Sequence, residues 1–313
     1  MNNFTLTPAS DPSAATISGA RTGAAFIAGG TTVIDLWKLG AYPVQELVDL
    51  QQLDLRSIEA SPAGLKLGAL ATMNAVGEHQ DVKANWPIVS QALLLSASPQ
   101  IRNMGTMGGN LLQRPRSITY RNPDSKRQDG PSRFDAIFGL TPSSRAPHPS
   151  DLAVALTALD ASVRVQGATG ERVIKLSDFY KLPGPDLRFD TLQPGDLITA
   201  IEASVPFAHR SAYVKIRDRA SYQFAVVSAA VALDLDGGTI REARVAAGGV
   251  GTVPWRLPAV EAALAGKPPT PDSFQRAIAM VGNGAQISPE TEFKVPLLSQ
   301  TILRALQAAI SIV

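Results

Sequence analysis

Ten residues, Ile101-Arg-Asn-Met-Gly-Thr-Met-Gly-Gly-Asn110, constrain this chain more than any other stretch. They follow an apolar run and end against Leu111-Leu112. Glycine has no Cβ to keep a ligand away from the backbone, and it tolerates positive φ. A second turn of the same kind, Ala28-Gly-Gly-Thr-Thr32, lies well upstream and also follows apolar residues. Gly-rich turns followed by hydroxyls and amides suit a phosphate or diphosphate. Two of them in one domain point to a nucleotide held between two arms.

Each turn has a plainer reading. Gly29-Gly30 also fits a tight strand-to-helix connection. It is neither the G-x-G-x-x-G of a dinucleotide fold nor a G-x-x-x-x-G-K-[ST] phosphate loop. The Gly105 to Asn110 loop is harder to read as structure alone. Arg102 and Asn103 adjoin an apolar run, where polar groups need partners that a ligand can supply. Ser150-Asp151 opens an Ala/Leu segment and reads as a helix cap, or as an acceptor for ribose hydroxyls. Tyr213-Val-Lys-Ile-Arg217 alternates apolar and charged residues. That is an edge strand with a solvated face, or a strand presenting Lys215 to an electron-rich ring.

Several chemistries are excluded. The 313 residues contain no cysteine, so there is no disulfide, thiolate zinc site, cysteine nucleophile or cysteine-ligated iron–sulfur cluster. His79, His148 and His209 are isolated, with no metal-ligand spacing. No G-x-S-x-G elbow occurs. Twenty-nine basic residues against 27 acidic ones give a net charge of +2, which argues against a nucleic-acid partner. The N-terminus lacks a signal-peptide pattern, and no run approaches the ~18 apolar residues of a membrane span. A soluble protein is expected.

Along the chain, residues 1–60 read as short strands and one helix. Strands are expected at Phe26-Ile27-Ala28, Leu47 to Leu50 and Leu65 to Ala69. Helices are expected at Thr32 to Leu39, at Ala71 to His79 capped by Thr72, and from Pro87 to Ser96 with a stop at Pro99. Residues 113–149 change character. Arg114, Arg116, Arg121, Lys126, Arg127, Arg133 and Arg145 fall among six prolines, against only Asp124, Asp129 and Asp135. This long irregular excursion reads as a solvated loop or as a contact for an acidic partner face. A helix over Leu152 to Leu159 and strands at Ser162 to Gln166 and Leu197 to Val205 follow. A boundary falls near Pro206 to Arg210. Beyond it come a strand meander and helices at Ala259 to Ala265, Ser273 to Val281 and Ser299 to Ile312.

Five segments occur in a telling order: Ala28-Gly-Gly-Thr31, Ile101 to Asn110, Pro149-Ser-Asp-Leu152, Leu192-Gln-Pro-Gly-Asp-Leu-Ile-Thr199 and Tyr213-Val-Lys-Ile-Arg-Asp-Arg-Ala220. Together they resemble the FAD-binding medium subunit of the molybdenum hydroxylases, the xanthine dehydrogenase and carbon monoxide dehydrogenase group. Within it, the chain is most similar to bacterial aldehyde oxidoreductase flavin subunits, which carry a long insertion after Gly-Gly-Asn-Leu-Leu-Gln.

The resemblance implies an α+β fold. A two-lobed FAD domain of the p-cresol methylhydroxylase and vanillyl alcohol oxidase type is expected over 1–207, with lobes of about 1–57 and 58–207 and the insertion at 113–149. A small α+β domain of the CO dehydrogenase flavoprotein C-terminal type follows over 208–313. Ala28, Gly29, Gly30, Thr31 and Thr32 are expected to face Gly105, Thr106, Gly108, Gly109 and Asn110 across the FAD diphosphate, with Asn103 nearby. Asp35 is expected to cap the first helix. Ser150 and Asp151 are expected toward the ribose or ribityl hydroxyls, Lys215 near the isoalloxazine, and Ile101 packed on the ring.

In relatives the insertion carries a four-iron cluster; without cysteines, none is expected here. The resemblance further implies a heterotrimer with a molybdenum-cofactor large subunit and a 2Fe-2S small subunit. Electrons would reach FAD and pass to oxygen, a quinone, NAD or a ferredoxin. Cytoplasm is expected, or periplasm if a signal-bearing partner exports the complex. A self-contained FAD oxidase or reductase of the same fold and a non-catalytic docking subunit are the alternatives.

Overall fold

A computed structural model describes residues 3–122 and 130–311. The first lobe is a parallel three-stranded sheet of β1 (Thr5–Pro8), β2 (Ala24–Ile27) and β3 (Glu46–Asp49), in the order β1-β3-β2. Two helices flank it, α1 (Pro12–Gly19) and α2 (Val33–Lys38). Helix α1 was not expected, because its Ser, Thr and Gly content blurs the apolar stripe. Its start is nonetheless well specified, since the Asp11 carboxylate accepts from Ala14 N and Pro12 opens the first turn.

The second lobe is an antiparallel sheet of five strands: β4 (Ile58–Ser61), β5 (Gly64–Gly68), β6 (Ser162–Gly167), β7 (Gly170–Lys175) and β8 (Leu197–Ala203). The spatial order is β4-β5-β8-β6-β7, so residues 69–161 form an excursion from one strand to another. It contains α3 (Met73–Glu78), α4 (Gln80–Asn85), α5 (Pro87–Leu94), α6 (Pro99–Met104), α7 (Met107–Leu111), α8 (Ile118–Arg121) and α9 (Asp151–Ala158); the short α10 (Leu176–Phe179) follows β7. Trp86, Ile88, Leu93, Met107, Leu152 and Ile201 fill the core between helices and sheet. Each such apolar side chain contributes about 1.5–3 kcal/mol by leaving water. The Trp86 indole donates to Ser61 O at 2.9 Å, so its polar edge is satisfied too.

Two expectations are corrected here. Pro99 does not merely end a helix. α5 stops at Leu94, and Pro99 is the first residue of α6, with Ser98 Oγ accepting from Ile101 N. The Gly105 to Asn110 stretch is not a loop either. Thr106 caps α7 by accepting from Gly109 N, and Gly108 and Gly109 lie in its first turn. Glycine is poor in helices, so propensity hides this element. Packing explains it: a Cβ on Gly108 would sit 3.1 Å from Ala69 Cβ.

The third layer is an antiparallel meander of β9 (Ser211–Ile216), β10 (Val227–Asp236), β11 (Thr239–Gly248) and β12 (Trp255–Arg256), in the order β12-β11-β10-β9. Helices α11 (Pro258–Leu264), α12 (Pro271–Ile278) and α13 (Lys294–Ile310) cover it. Leu298, Ile302, Ala305, Leu306 and Ala309 of α13 repeat at three and four residues and are fully buried against Val231, Leu233 and Val245. The helix begins earlier than its apolar pattern suggests. The expected end at Ile312 lies outside the described residues.

Within the insertion, Lys126, Arg127, Asp124 and Asp129 lie outside the described residues. The other basic residues are paired. Arg114 meets Asp190, Arg116 and Arg121 meet Asp35, Arg133 meets Asp218, and Arg145 meets Asp135. The described part of the insertion therefore stitches itself to the first lobe, the second lobe and the β9–β10 loop.

Candidate functional site

The two Gly-rich turns touch. A Cβ built on Gly29 would lie 1.8 Å from Met104 O and 2.5 Å from Met104 C, so the β2–α2 turn abuts the end of α6 with no room for a side chain. Gly30, at φ +71°, turns the chain into α2. Gln51 Nε2 donates to Ala28 O at 2.6 Å and holds the turn from behind.

A cavity lies on each side of this contact. One, of about 210 Å³, is lined by Ala28, Gly29, Gly30, Tyr42, Gly108, Arg114 and Tyr120. The other, of about 490 Å³, is lined by Asp35, Ile101, Gly105, Asn110, Arg116, Arg121, Asp151, Lys215, Tyr222 and Phe224. Thr31, Thr32, Thr106 and Gly109 line both. They form the waist of one elongated cleft.

Most of the expected residues meet there, with several revised roles. Asp35 does not cap α2. Thr32 holds the cap position without a side-chain bond, and Asp35 instead accepts from Arg121 at 2.6 Å and Arg116 at 3.4 Å. The helix turn carries Ile101 toward the cavity and leaves Asn103 exposed, lining neither side. Asn110 is buried, donates toward Met73 Sδ, and accepts from Ser150 Oγ at 2.5 Å. Ser150 also caps α9 by accepting from Ala153 N. Both are committed to bracing the wall, although Asn110 still borders the cavity.

Asp151 and Lys215 form a buried ion pair at 2.7 Å, with the lysine side chain only 1% exposed. Lys215 also donates to Leu95 O, and Tyr213 OH donates to Asp151 at 2.6 Å. Burial, then the Asp151 carboxylate, pushes the Tyr213 phenol well above its usual range. The expected free cation is thus neutralised where it meets the cavity. β9 is an edge strand, but Lys215 points inward rather than to a solvated face.

Arg116 and Arg121 escaped sequence reading as site residues. Both border the larger cavity, and Arg121 Nη2 is buried with no partner among the described residues. Burial, then the adjacent Arg121, pulls the Arg116 guanidinium below its usual value. Their spacing in an irregular basic stretch held no periodic signal. The fold brings them together on Asp35, more than eighty residues upstream, at the larger cavity.

The arrangement suits FAD. The cleft is two-chambered, its waist is built of Gly109 and three threonines, and Arg121, with an orphaned guanidinium nitrogen, borders the larger chamber. A diphosphate would satisfy that nitrogen by charge-assisted hydrogen bonding.

Comparison with known proteins agrees. Residues 2–207 match the FAD binding domain in molybdopterin dehydrogenase, and residues 211–309 match the CO dehydrogenase flavoprotein C-terminal domain. The chain is 38% identical to the aldehyde oxidoreductase FAD-binding subunit of Escherichia coli strain K12, over 99% of each chain. It is 26% identical to the carbon monoxide dehydrogenase medium chain of Afipia carboxidovorans, over 81% of this chain and 76% of that one. A solved CO dehydrogenase from Oligotropha carboxidovorans shares the fold, with a TM-score of 0.80 at 23% identity over 100% of this chain and 99% of that chain. The chain therefore belongs to the family of FAD-binding subunits of molybdenum hydroxylases.

Proposed function

We propose that this chain is the FAD-carrying electron-transfer subunit of a heteromeric molybdenum-dependent oxidoreductase acting on an aldehyde or an N-heterocycle. It works beside a molybdenum-cofactor large subunit and a 2Fe-2S small subunit, in the cytoplasm or, if a signal-bearing partner exports the complex, in the periplasm. With no cysteine in the chain, no cysteine-ligated cluster is assigned to it.

The observation that carries this reading is the waist between the two chambers. Thr31, Thr32, Thr106 and Gly109 offer hydroxyls and a backbone approach to a diphosphate, while Arg116 and Arg121 supply positive charge. The smaller chamber, with Tyr42, Arg114 and Tyr120, takes the adenosine end. The larger chamber, with Ile101, Lys215 and Phe224, takes the ring system. Bound there, FAD supplies a two-electron relay between a partner's clusters and an external acceptor. Asp151, Lys215 and Tyr213 hold the wall rigid rather than moving protons. That disfavours a self-contained oxidase, which needs its own base. The close-packed glycines disfavour a docking subunit that has lost its flavin.

The test is the visible spectrum of the co-purified complex, followed by heat release of the chromophore. Flavin absorption and free FAD in the supernatant are expected. A complex with molybdenum and iron but no releasable FAD refutes the reading.

A further inference from the structure

Asp35 is a carboxylate where FAD has no use for one. It lies in the first turn of α2 and borders the larger chamber with its side chain 42% exposed. An anion beside a diphosphate site is adverse by charge alone. What Asp35 holds instead is the insertion, through Arg121 at 2.6 Å and Arg116 at 3.4 Å. The same stretch is tied at its other end, where Arg114 Nη1 donates to Asp190 at 2.9 Å. Asp35 belongs to the first lobe, and Asp190 to the run between α10 and β8 of the second. Residues 114–121 therefore join the two lobes.

The joining segment is short and braced. Pro115 is buried, and its ring fixes the backbone there. Ser117 Oγ accepts from Tyr120 N and opens α8, and Arg121 Nε donates back to Pro115 O at 3.4 Å. The Arg116 guanidinium also lies 4.8 Å above the centre of the Phe224 ring. Arg114 and Tyr120 border the smaller chamber, whereas Arg116 and Arg121 border the larger. One braced segment thus lies against both chambers, with its ends fastened to different lobes.

We infer that residues 114–121 form a strap across the cofactor cleft, and that Asp35 and Asp190 are the positioning residues that fasten it. The inference rests on the proposed FAD function. A dinucleotide seated in both chambers leaves after the strap lifts, so the two carboxylates set its release rate. Each ion pair is partly exposed and modest by itself. Together they act at both ends of one segment, and such contacts are read in dissociation rates. Asp190 borders neither chamber, so its effect on FAD passes through Arg114.

FAD release from the co-purified complex tests this, followed as the rise in flavin fluorescence after dilution, beside thermal melting. Asp35→Asn should speed release roughly fivefold, the loss of two partly exposed ion pairs, and Asp190→Asn roughly threefold. Asp35→Glu keeps a carboxylate for the arginines and should release FAD within about twofold of the parent. Melting should fall by less than about 2 °C in Asp35→Asn, a change at a half-exposed side chain. Without a strap the sign reverses: removing an anion beside the larger chamber holds the diphosphate tighter and slows release. Release unchanged or slower in Asp35→Asn overturns the strap alone. Faster release that comes with a large loss of melting temperature and no rescue by Asp35→Glu overturns it too. A parent complex without flavin overturns the proposed function and the strap with it.

Discussion

Gly29→Ala tests the clamp most directly. The added methyl would lie 1.8 Å from Met104 O and 3.2 Å from Gly105 N, all backbone, so no rotamer change relieves it. Ordinary contact distances require the β2–α2 turn and the end of α6 to part by roughly 1.5 Å. Overpacking of this kind costs about 1–3 kcal/mol. The same parting spreads Thr31 and Thr32 from Thr106 and Gly109, the residues that line both chambers. If binding must close that gap, a penalty of about 2–3 kcal/mol weakens FAD by roughly 30- to 150-fold. Gly109→Ala is the informative partner. Its Cβ meets only Thr106 Oγ1, at 3.0 Å, a side-chain atom that a shift of a few tenths of an ångström clears, so its cost to the fold is smaller than that of the backbone clash at Gly29. The assay is FAD dissociation followed by fluorescence, beside thermal melting of the apoprotein. Gly29→Ala should lower both affinity and melting temperature; Gly109→Ala should lower affinity with little change in melting. If Gly29→Ala binds FAD as tightly as the parent, the contact between the turns is not the diphosphate clamp.

Arg121→Ala should weaken FAD about tenfold, the worth of one charge-assisted hydrogen bond. Raising salt should narrow the gap to the parent, and a gap indifferent to salt argues against a charge contact. Burial, then the nearby Arg114, pushes His148 down to about 3, against roughly 6.5 in an unfolded chain. The unfolded state therefore binds the extra proton, and stability is lost as pH falls from 6.5 toward 3, by about 1.4 kcal/mol per pH unit. Urea midpoints at pH 7 and pH 5 should diverge for the parent and less for His148→Gln; parallel midpoints sink the assignment. Asp151→Asn leaves Lys215 buried and unpaired at a cost of about 3 kcal/mol. It also exposes a positive charge to the larger chamber, so the midpoint potential of bound FAD should rise in spectroelectrochemical titration, and an unchanged or lower potential counts against the chamber being the ring site.

Local signals made much of the fold legible. β6 shows strict alternation, α13 carries its apolar residues at helical spacing, and Thr72 announces α3 by accepting from Ala75 N. Each of these depends on residues within one turn or one strand. The errors fall where a distant neighbour decides. Gly108 and Gly109 are helical because Ala69 needs the space and Thr106 supplies a cap, which outweighs poor propensity. α1 exists because Asp11 and Pro12 start it and because Ala15 packs into the core with Val48 and Leu53.

The same distinction governs the site. Ala28 to Thr32 and Gly105 to Asn110 were readable as glycine-rich segments, although what requires the glycines, Met104 O beside Gly29 and Ala69 beside Gly108, lies far along the chain. Charge partners were not: Asp35 meets Arg121, and Asp151 meets Lys215, across spans with no periodic relation. A lysine in an alternating strand reads as a free cation, and only the tertiary structure shows that a carboxylate 2.7 Å away cancels it. The pair is closed off from solvent, with the lysine side chain 1% exposed and the carboxylate 6%. With Asp35 between them, Arg116 and Arg121 leave one net positive charge on the larger chamber, whereas Lys215 leaves none. An anionic group in the larger chamber therefore meets its charge at Arg116 and Arg121 and finds none at Lys215.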